Sequence, residues 1–201
     1  MTRWYTGNMR IVALIALGAS LVGSTFAATL PRPLPGFTFR TPMGGVIDLT
    51  QYKGKVVALE FLLTTCPHCQ RCARVLQKMQ TEFGPKGFQA IGVATNDMAH
   101  MLVPEFMRNF GISFPVGFAQ REAAHDFLDH PRNLILYYPN VVFIDRKGMI
   151  RAQFLGGDAF FNDEENNVRK QILGLLNDSA SAKPGALPPP KTAASKTTKT
   201  D

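Results

Sequence analysis

The sequence predicts an α/β fold in which a central mixed β-sheet is flanked by helices and preceded by an N-terminal β-hairpin. Two apolar, strand-like runs, at residues 56–63 and 88–94, are each followed by a segment whose apolar residues recur at helical spacing. Two later runs, at 140–145 and 149–154, are joined by a short turn that contains a glycine, as in antiparallel hairpins. Strands that alternate with helices and then form a hairpin indicate both parallel and antiparallel pairing.

The N-terminal hairpin is predicted from two short apolar runs, 37–39 and 46–49, on either side of a Pro-Met-Gly-Gly turn. A Lys-Gly-Lys turn then leads into the first long strand, 56–63, which is apolar except for Glu60. Because its neighbours on both sides are apolar, we expect Glu60 to be buried.

The first long strand is followed by a Cys-Pro-His-Cys tetrapeptide at residues 66–69. Proline is favoured in the first turn of a helix, so Pro67 places Cys66 at the N-cap. With two residues between them, the sulfurs of Cys66 and Cys69 can meet in this turn. The positive end of the helix dipole favours a thiolate, which is the attacking species in disulfide exchange. We therefore interpret Cys66 as the nucleophile of a dithiol pair.

The helix that starts here should end at residue 83, because Gly84 and Pro85 follow. Cys72 lies on its apolar stripe, so we expect a buried thiol. A second helix is predicted at 101–110, where Pro104 is acceptable only near the first turn.

The next segments give weaker signals. Residues 111–116 read as extended and 121–129 as helical, whereas 134–137 fit a strand or a packed loop. A closing helix can be capped by Asn162 or Asp163. His125 and His130 are not placed by the pattern, and a surface position is the default for both.

Cysteine pairs with this spacing also occur in zinc and iron–sulfur sites. A bacterial ferredoxin run needs a cysteine at the position of Leu76, and a zinc site needs a second pair that the chain lacks. Gln70 stands where a haem-attachment motif needs histidine. We therefore predict no metal site and no organic cofactor.

Residues 1–27 read as a signal peptide, with Arg3 and Arg10 before an apolar stretch and a Thr-Phe-Ala cleavage site at the end. We expect export to a periplasmic or other extracytoplasmic compartment, where an exposed cysteine pair oxidises unless it is kept reduced. If the segment is not cleaved, it would anchor the protein to a membrane.

Residues 178–201 are rich in Pro, Lys, Ala and Thr, and we expect them to be disordered. The region between the two ends, 28–177, has the size of one domain, and we expect a monomer. The whole chain has a net charge of +7, which falls to about +3 without the two ends. This modest charge argues against nucleic acid as a partner.

Taken together, these motifs resemble the thioredoxin superfamily over most of residues 37–177, and most closely the exported TlpA-like thiol-disulfide oxidoreductases and the related redoxin (AhpC/TSA-like) group. The resemblance rests on the Cys-Pro-His-Cys tetrapeptide at the end of a buried strand, the Phe-Pro-Val segment at 114–116, and the run from Pro139 to Asp145 followed by Lys147 and Gly148.

The resemblance implies a thioredoxin-like fold and roles for several residues. The Tyr138–Pro139 bond should be cis and, with Pro67, should shape the groove for a substrate strand. Glu60 stands six residues before Cys66, where thioredoxins carry a buried acid that handles the proton of the second cysteine. His68 gives the tetrapeptide of the oxidant DsbA, since an imidazolium beside a thiolate stabilises the reduced form.

Two departures leave the substrate open: Thr65 replaces a common Trp, and Tyr138 is bulkier than usual before the proline. The interpretation is an exported enzyme that exchanges disulfides with cysteine-containing proteins and with an unidentified redox donor or acceptor. One alternative is a peroxiredoxin-like peroxidase, although Leu59 and Leu63 stand where that motif has Pro and Thr. Another is a non-enzymatic binding module with a structural Cys66–Cys69 disulfide.

Overall fold

The structure is a computed structural model that describes residues 29–178. The predicted signal peptide, and the predicted tail beyond Asp178, lie outside the described residues.

Within this range the chain forms one sheet and four α-helices, with short 3-10 turns between them. The strands are β1 (Arg32–Pro33), β2 (Thr38–Arg40), β3 (Val46–Asp48), β4 (Val56–Leu62), β5 (Phe88–Ala94), β6 (Val116–Phe118), β7 (Asn140–Ile144) and β8 (Met149–Phe154). The helices are α1 (Pro67–Phe83), α2 (Ala99–Phe110), α3 (Arg121–Phe127) and α4 (Glu164–Asn177).

The sheet is mixed, as the sequence predicts, with the strand order β1-β8-β7-β4-β5-β6-β2-β3. Strands β4, β5 and β6 are parallel, whereas β7 runs antiparallel to β4 and pairs with β8 as a hairpin. The predicted N-terminal hairpin is also present as β2 and β3. It continues the sheet, because β2 pairs with β6. This pairing, and that of β1 with β8, are not predicted from the sequence.

Two apolar layers cover the sheet. Helices α1, α2 and α4 pack on one face, and α3 packs on the other together with the N-terminal segment around Phe37. Every residue of β4 is buried. Because side chains alternate along a strand, Ala58, Glu60 and Leu62 face the layer of α1, whereas Leu59 and Phe61 face the layer of α3. The strand that leads to the cysteines therefore runs through the centre of the domain.

Three local predictions need correction. Helix α2 begins at Ala99, two residues earlier than predicted, because Ala99 and Val103 pack into the core. Pro104 consequently lies inside the helix, where it removes one backbone hydrogen bond. The segment before Val116 is a loop rather than extended, since only 116–118 pair with β5. His125 is buried on the inner face of α3 instead of lying at the surface.

Candidate active site

Cys66 is the N-cap residue of α1, and Pro67 is the first residue of the helix, as the sequence predicts. The backbone of Cys66 is extended, and its carbonyl accepts the first helical hydrogen bond, from the Gln70 N–H at 3.0 Å. Its side chain makes no capping hydrogen bond. The sulfur therefore lies at the helix N-terminus, which is the positive end of the helix dipole.

The three cysteines are free thiols in different surroundings. Cys66 is half-buried, whereas Cys69 and Cys72 are fully buried on the inner face of α1. The Leu63 N–H donates to Cys69 Sγ at 3.4 Å. Burial, and then the nearby Glu60 carboxyl, raise the pKa of Cys69 well above that of a free thiol. Cys66 is therefore the cysteine that a partner can reach. Because the pKa of Cys69 is raised, Cys69 needs a base before it can attack.

Glu60 lies in the middle of β4, between Gly92 of β5 and Val141 of β7. It is fully buried, which confirms the expected burial. Neither of its carboxyl oxygens has a hydrogen-bond partner among the described residues. Desolvation, followed by the negative charge of Glu164, raises the pKa of Glu60 well above its usual value. A carboxylate whose pKa is raised is a stronger base, so once ionised it can accept the proton of a buried thiol.

His68 is exposed on the first turn of α1. Arg71, one turn further along, places its Nη2 3.1 Å from His68 Nδ1. Guanidinium can only donate, so Nδ1 is the acceptor in this contact. The contact places the Arg71 guanidinium beside the imidazole in the first turn of α1.

Tyr138 and Pro139 lie at the same edge of the sheet as Cys66, because β7 starts at Asn140, opposite Phe61 near the end of β4. The Tyr138–Pro139 bond is cis, as the resemblance implies. The Thr95 hydroxyl donates to the Tyr138 oxygen at 2.7 Å and joins this segment to the end of β5. Burial raises the pKa of Tyr138, and Cys69 is close enough to contribute to the rise.

Sequence reasoning missed several polar residues that hold the loop between β4 and α1. The Thr64 N–H donates to Asn96 Oδ1 at 2.9 Å, and Gln70 Nε2 donates to the Thr64 carbonyl at 3.0 Å. These contacts fix the segment that carries Cys66. These contacts join residues that are distant in sequence. Only the position of Asn96, just after a strand, could have suggested its part in them.

The surface around this edge has exposed apolar side chains. They belong to the start of α2 and to the loop before the cis bond, and they are Met98, Met101, Leu134, Ile135 and Tyr137. A cleft of about 500 Å³ opens between the end of β5 and the start of α3, with Asn96, His100 and Arg121 in its wall.

Within residues 29–178, no three His, Cys, Asp or Glu side chains are grouped so that they could hold a metal ion. In the same range, no helix combines the length and apolar character that crossing a membrane requires.

Gly156 is a second feature that the sequence does not reveal. An added Cβ there would lie 2.6 Å from the carbonyl carbon of Tyr137 and 2.7 Å from the nitrogen of Tyr138. The turn after β8 thus packs directly on the backbone next to the cis bond. Glycine is required because no side chain fits in this space.

A Gly156→Ala substitution should therefore displace the Tyr138 segment and destabilise the domain by about 1–3 kcal/mol, the usual cost of overpacking. Thermal unfolding measures this change, and thiol exchange should slow in the same variant. Gly157→Ala is the matched control, because nothing lies within 4 Å of a Cβ at that position. Equal melting temperatures for the two variants would contradict the packing argument.

The family model described as Redoxin matches residues 31–172. Protein DipZ of Mycobacterium tuberculosis is 34% identical over 179 residues, which cover 86% of this chain but only 24% of DipZ. The chain thus spans about a quarter of the length of that relative. Thiol-disulfide oxidoreductase ResA of Halalkalibacterium halodurans is 27% identical over 163 residues, covering 77% of this chain and 86% of ResA.

Among solved structures, a putative thiol:disulfide interchange protein DsbE from Chlorobium tepidum superposes with a TM-score of 0.62 at 23% identity. The match covers 73% of this chain and 96% of that structure, and it shows a shared thioredoxin-like fold. The Redoxin model extends over more than half of the chain and includes the dithiol, the buried acid and the cis-proline segment. The chain therefore belongs to the Redoxin family of the thioredoxin superfamily, in the group of TlpA-like thiol-disulfide oxidoreductases.

Proposed function

We propose that this protein is an exported thiol-disulfide oxidoreductase that exchanges disulfides with cysteine-containing proteins. One observation carries the proposal: Cys66 is accessible at a helix N-terminus, while Cys69, three residues later, is buried near the unpartnered carboxyl group of Glu60. This arrangement separates an attacking thiol from a resolving thiol and provides a base for the latter.

The reaction has two displacements. The Cys66 thiolate attacks one sulfur of a substrate disulfide, forms a mixed disulfide and releases the other substrate sulfur as a thiolate, which takes a proton from water. Glu60 then takes the proton of Cys69, and the Cys69 thiolate attacks the Cys66 sulfur. The mixed disulfide breaks, and the second substrate sulfur leaves. Two electrons have moved to the substrate, and the enzyme holds a Cys66–Cys69 disulfide; the reverse sequence oxidises a substrate dithiol.

The surroundings of the site support a polypeptide as substrate. Pro67 directly follows Cys66, and the cis-Pro139 segment leads into β7, which pairs with the end of β4 that precedes the dithiol. Apolar side chains such as Ile135 and Met101 are exposed. A bound strand would pair with the backbone beside Pro139. The second partner, which returns the dithiol to its starting state, is a redox donor or acceptor of unidentified structure.

Export is proposed from the first 27 residues, which have the charge, apolar stretch and small-residue end of a signal peptide. Expression of the full chain in a bacterial host, followed by fractionation and N-terminal sequencing, tests this part. A mature protein that starts at Ala28 in the periplasmic fraction is the expected result. A cytoplasmic protein that retains Met1 would contradict export, and a membrane-bound protein with an intact N-terminus would show an anchor.

A peroxidase function is less favoured. Leu59 lies inside β4, paired with Ile91 and Val142, at a position where the peroxiredoxin motif has proline. Rapid, stoichiometric consumption of hydrogen peroxide by the reduced protein would reverse this preference.

The reduction potential tests the proposed exchange directly. We expect the Cys66–Cys69 pair to equilibrate with glutathione at a potential above roughly −230 mV, because Cys66 lies at the helix N-terminus, whose dipole favours the reduced form. Alkylation with a mass tag measures the reduced fraction. A value near −270 mV would indicate a thioredoxin-like reductant, and a value below about −300 mV would identify a structural disulfide and exclude the proposed function.

A further inference from the structure

A cavity of about 180 Å³ lies at the opposite end of the sheet from the dithiol. Val57 lines it near the start of β4, and Ile144 lines it at the end of the antiparallel strand β7. Cys66 follows the other end of β4. The cavity is therefore separate from the candidate active site, and the proposed disulfide exchange does not use it.

Backbone hydrogen bonds hold the walls of this cavity. The Leu34 N–H donates to the Gly148 carbonyl at 2.9 Å, and the Gly54 N–H donates to the Arg146 carbonyl at 2.9 Å. These bonds join the chain before β2 and the turn before β4 to the turn of the β7–β8 hairpin. Because three segments are connected in this way, the cavity is formed by the fold itself, as ligand pockets usually are.

One part of the cavity lining is apolar. Leu49, Val57 and Ile144 contribute buried side chains, and Leu34 contributes a half-buried one. An apolar cavity of roughly 150 Å³ can bind benzene. The space at this end of the sheet is therefore large enough for an apolar group of about one ring.

The only acidic side chain of the lining, Asp145, is already paired. Its Oδ1 accepts from the Lys147 N–H at 2.9 Å and from the Met149 N–H at 3.0 Å. Its Oδ2 accepts from Arg151 Nη1 at 3.0 Å. Asp145 therefore has no oxygen left to neutralise a further cation of the cavity.

Three lysines of the lining, Lys53, Lys55 and Lys147, supply positive charge. Within residues 29–178, none of their ammonium groups has an ion pair, and only Lys55 has a hydrogen bond, to Gln89 Oε1 at 3.4 Å. Tyr52 also lines the cavity, and burial raises the pKa of its hydroxyl. This hydroxyl keeps its proton and can donate to an anion. The polar part of the lining thus offers donors and positive charge.

We propose that this cavity binds a small organic anion, in which a carboxylate is attached to an apolar body of about one ring. The apolar body fills the space between the buried aliphatic side chains, and the carboxylate lies among the three lysines. An inorganic anion would leave the apolar lining without a partner. A neutral ring would leave the lysines without a counter-charge, so the combination matches both parts of the lining.

The test is an NMR titration of the isotope-labelled, reduced protein with benzoate at low ionic strength. We expect saturable binding at one site with a dissociation constant on the order of 1 mM, as for a ligand of this size. The backbone amide signals of Leu34, Lys53 and Gly148 should shift, whereas those of Cys66 and Cys69 should not. Benzyl alcohol has the same ring without the charge, and it should bind at least about fivefold more weakly.

The lysines are tested by substitution. Lys53→Gln combined with Lys147→Gln should weaken benzoate binding about fivefold or more, because two of three counter-charges are lost. Lys86→Gln is the matched control. Lys86 is exposed at the same end of the sheet, where its carbonyl accepts from Arg146 Nη2 at 3.4 Å, but its side chain does not line the cavity. The three lysine substitutions are close to the surface, and equal melting temperatures would show that the variants fold like the wild type.

Several results would overturn the proposal. They are the absence of saturable shifts up to about 20 mM benzoate, equal affinities for benzoate and benzyl alcohol, and equal losses in the double variant and in Lys86→Gln. The last result would mean that the anion is attracted by surface charge alone.

The position of the ligand is checked with the chromogenic disulfide DTNB. The rate at which the reduced protein releases the chromophore should be the same with and without saturating benzoate, because the cavity and the dithiol lie at opposite ends of β4. Slower release would place benzoate at the dithiol and overturn the proposal. A protein that binds benzoate as expected but releases no chromophore would contradict the proposed disulfide exchange and leave the cavity site intact.

Discussion

A Cys69→Ser variant should stop at the mixed disulfide, and a Cys66→Ser variant should form none. Cys66 is accessible at the start of α1, so it can attack without its partner. Cys69 is buried and its pKa is raised, so it cannot replace Cys66 as the nucleophile. We expect the rate of the first attack to fall by about three orders of magnitude or more in Cys66→Ser, as for loss of a nucleophile.

The release of chromophore from DTNB measures both effects. The wild type should release two equivalents, Cys69→Ser one and Cys66→Ser none on the same time scale, and mass spectrometry should find the adduct of Cys69→Ser on Cys66. A variant with both Cys66→Ser and Cys69→Ser retains only Cys72, which is fully buried and should react slowest of all. An adduct on Cys69 in the Cys66→Ser protein, formed as fast as in the wild type, would reverse the two roles.

Replacing Glu60 with glutamine should slow resolution by about 10² or more, the usual contribution of a general base, and leave the first attack nearly intact. Glutamine has a similar size and cannot accept the proton of Cys69. The second release of chromophore should therefore be slow and show a weaker pH dependence between pH 6 and 9. An unchanged rate of resolution would exclude Glu60 as the proton acceptor.

The same substitution should stabilise the reduced protein at high pH. The pKa of Glu60 is higher in the folded protein than in the unfolded chain, so the folded state holds a proton that the unfolded state has lost. The free energy of unfolding of the wild type therefore decreases as the pH rises from about 4.5, the usual pKa of Glu.

Glutamine does not ionise, so the free energy of unfolding of Glu60→Gln should not decrease in this way. We expect the variant to be more stable than the wild type by about 1–3 kcal/mol at pH 8. At pH 4 the difference should disappear, because the carboxyl is protonated in both states. Urea denaturation under reducing conditions at the two pH values measures this, with Glu165→Gln as an exposed control. A variant less stable than wild type at pH 8 would contradict an unpartnered Glu60.

The parts of the site that follow from sequence are those determined by neighbouring residues. Pro67 fixes the start of α1 and makes Cys66 the N-cap, and the apolar neighbours of Glu60 predict its burial. The cis bond before Pro139 follows from the resemblance to a family rather than from the residues themselves. Strand β4 and the β7–β8 hairpin can be predicted from the sequence because each has a strong local pattern.

The remaining features depend on contacts between distant segments. Glu164 follows a short 3-10 turn, and nothing in its local sequence distinguishes it from the exposed Glu165. Its burial results from the packing of α4 against α1. The pairing of β2 with β6 has the same origin, since a hairpin pattern does not specify which edge of a sheet it joins. Local pattern predicts the dithiol and the burial of Glu60, whereas the burial of Glu164 depends on tertiary packing.

The short outer strands of the sheet have a consequence for a protein whose proposed partners are other polypeptides. An exposed sheet edge is a template onto which another polypeptide can add as an extra strand and start aggregation. In residues 29–178, the outermost strands are β1, with two residues including Pro33, and β3, with three. The long strands β4, β5 and β7 all lie inside the sheet. Such short edges offer few backbone groups to an added strand, so the sheet is a poor template for aggregation with a bound polypeptide.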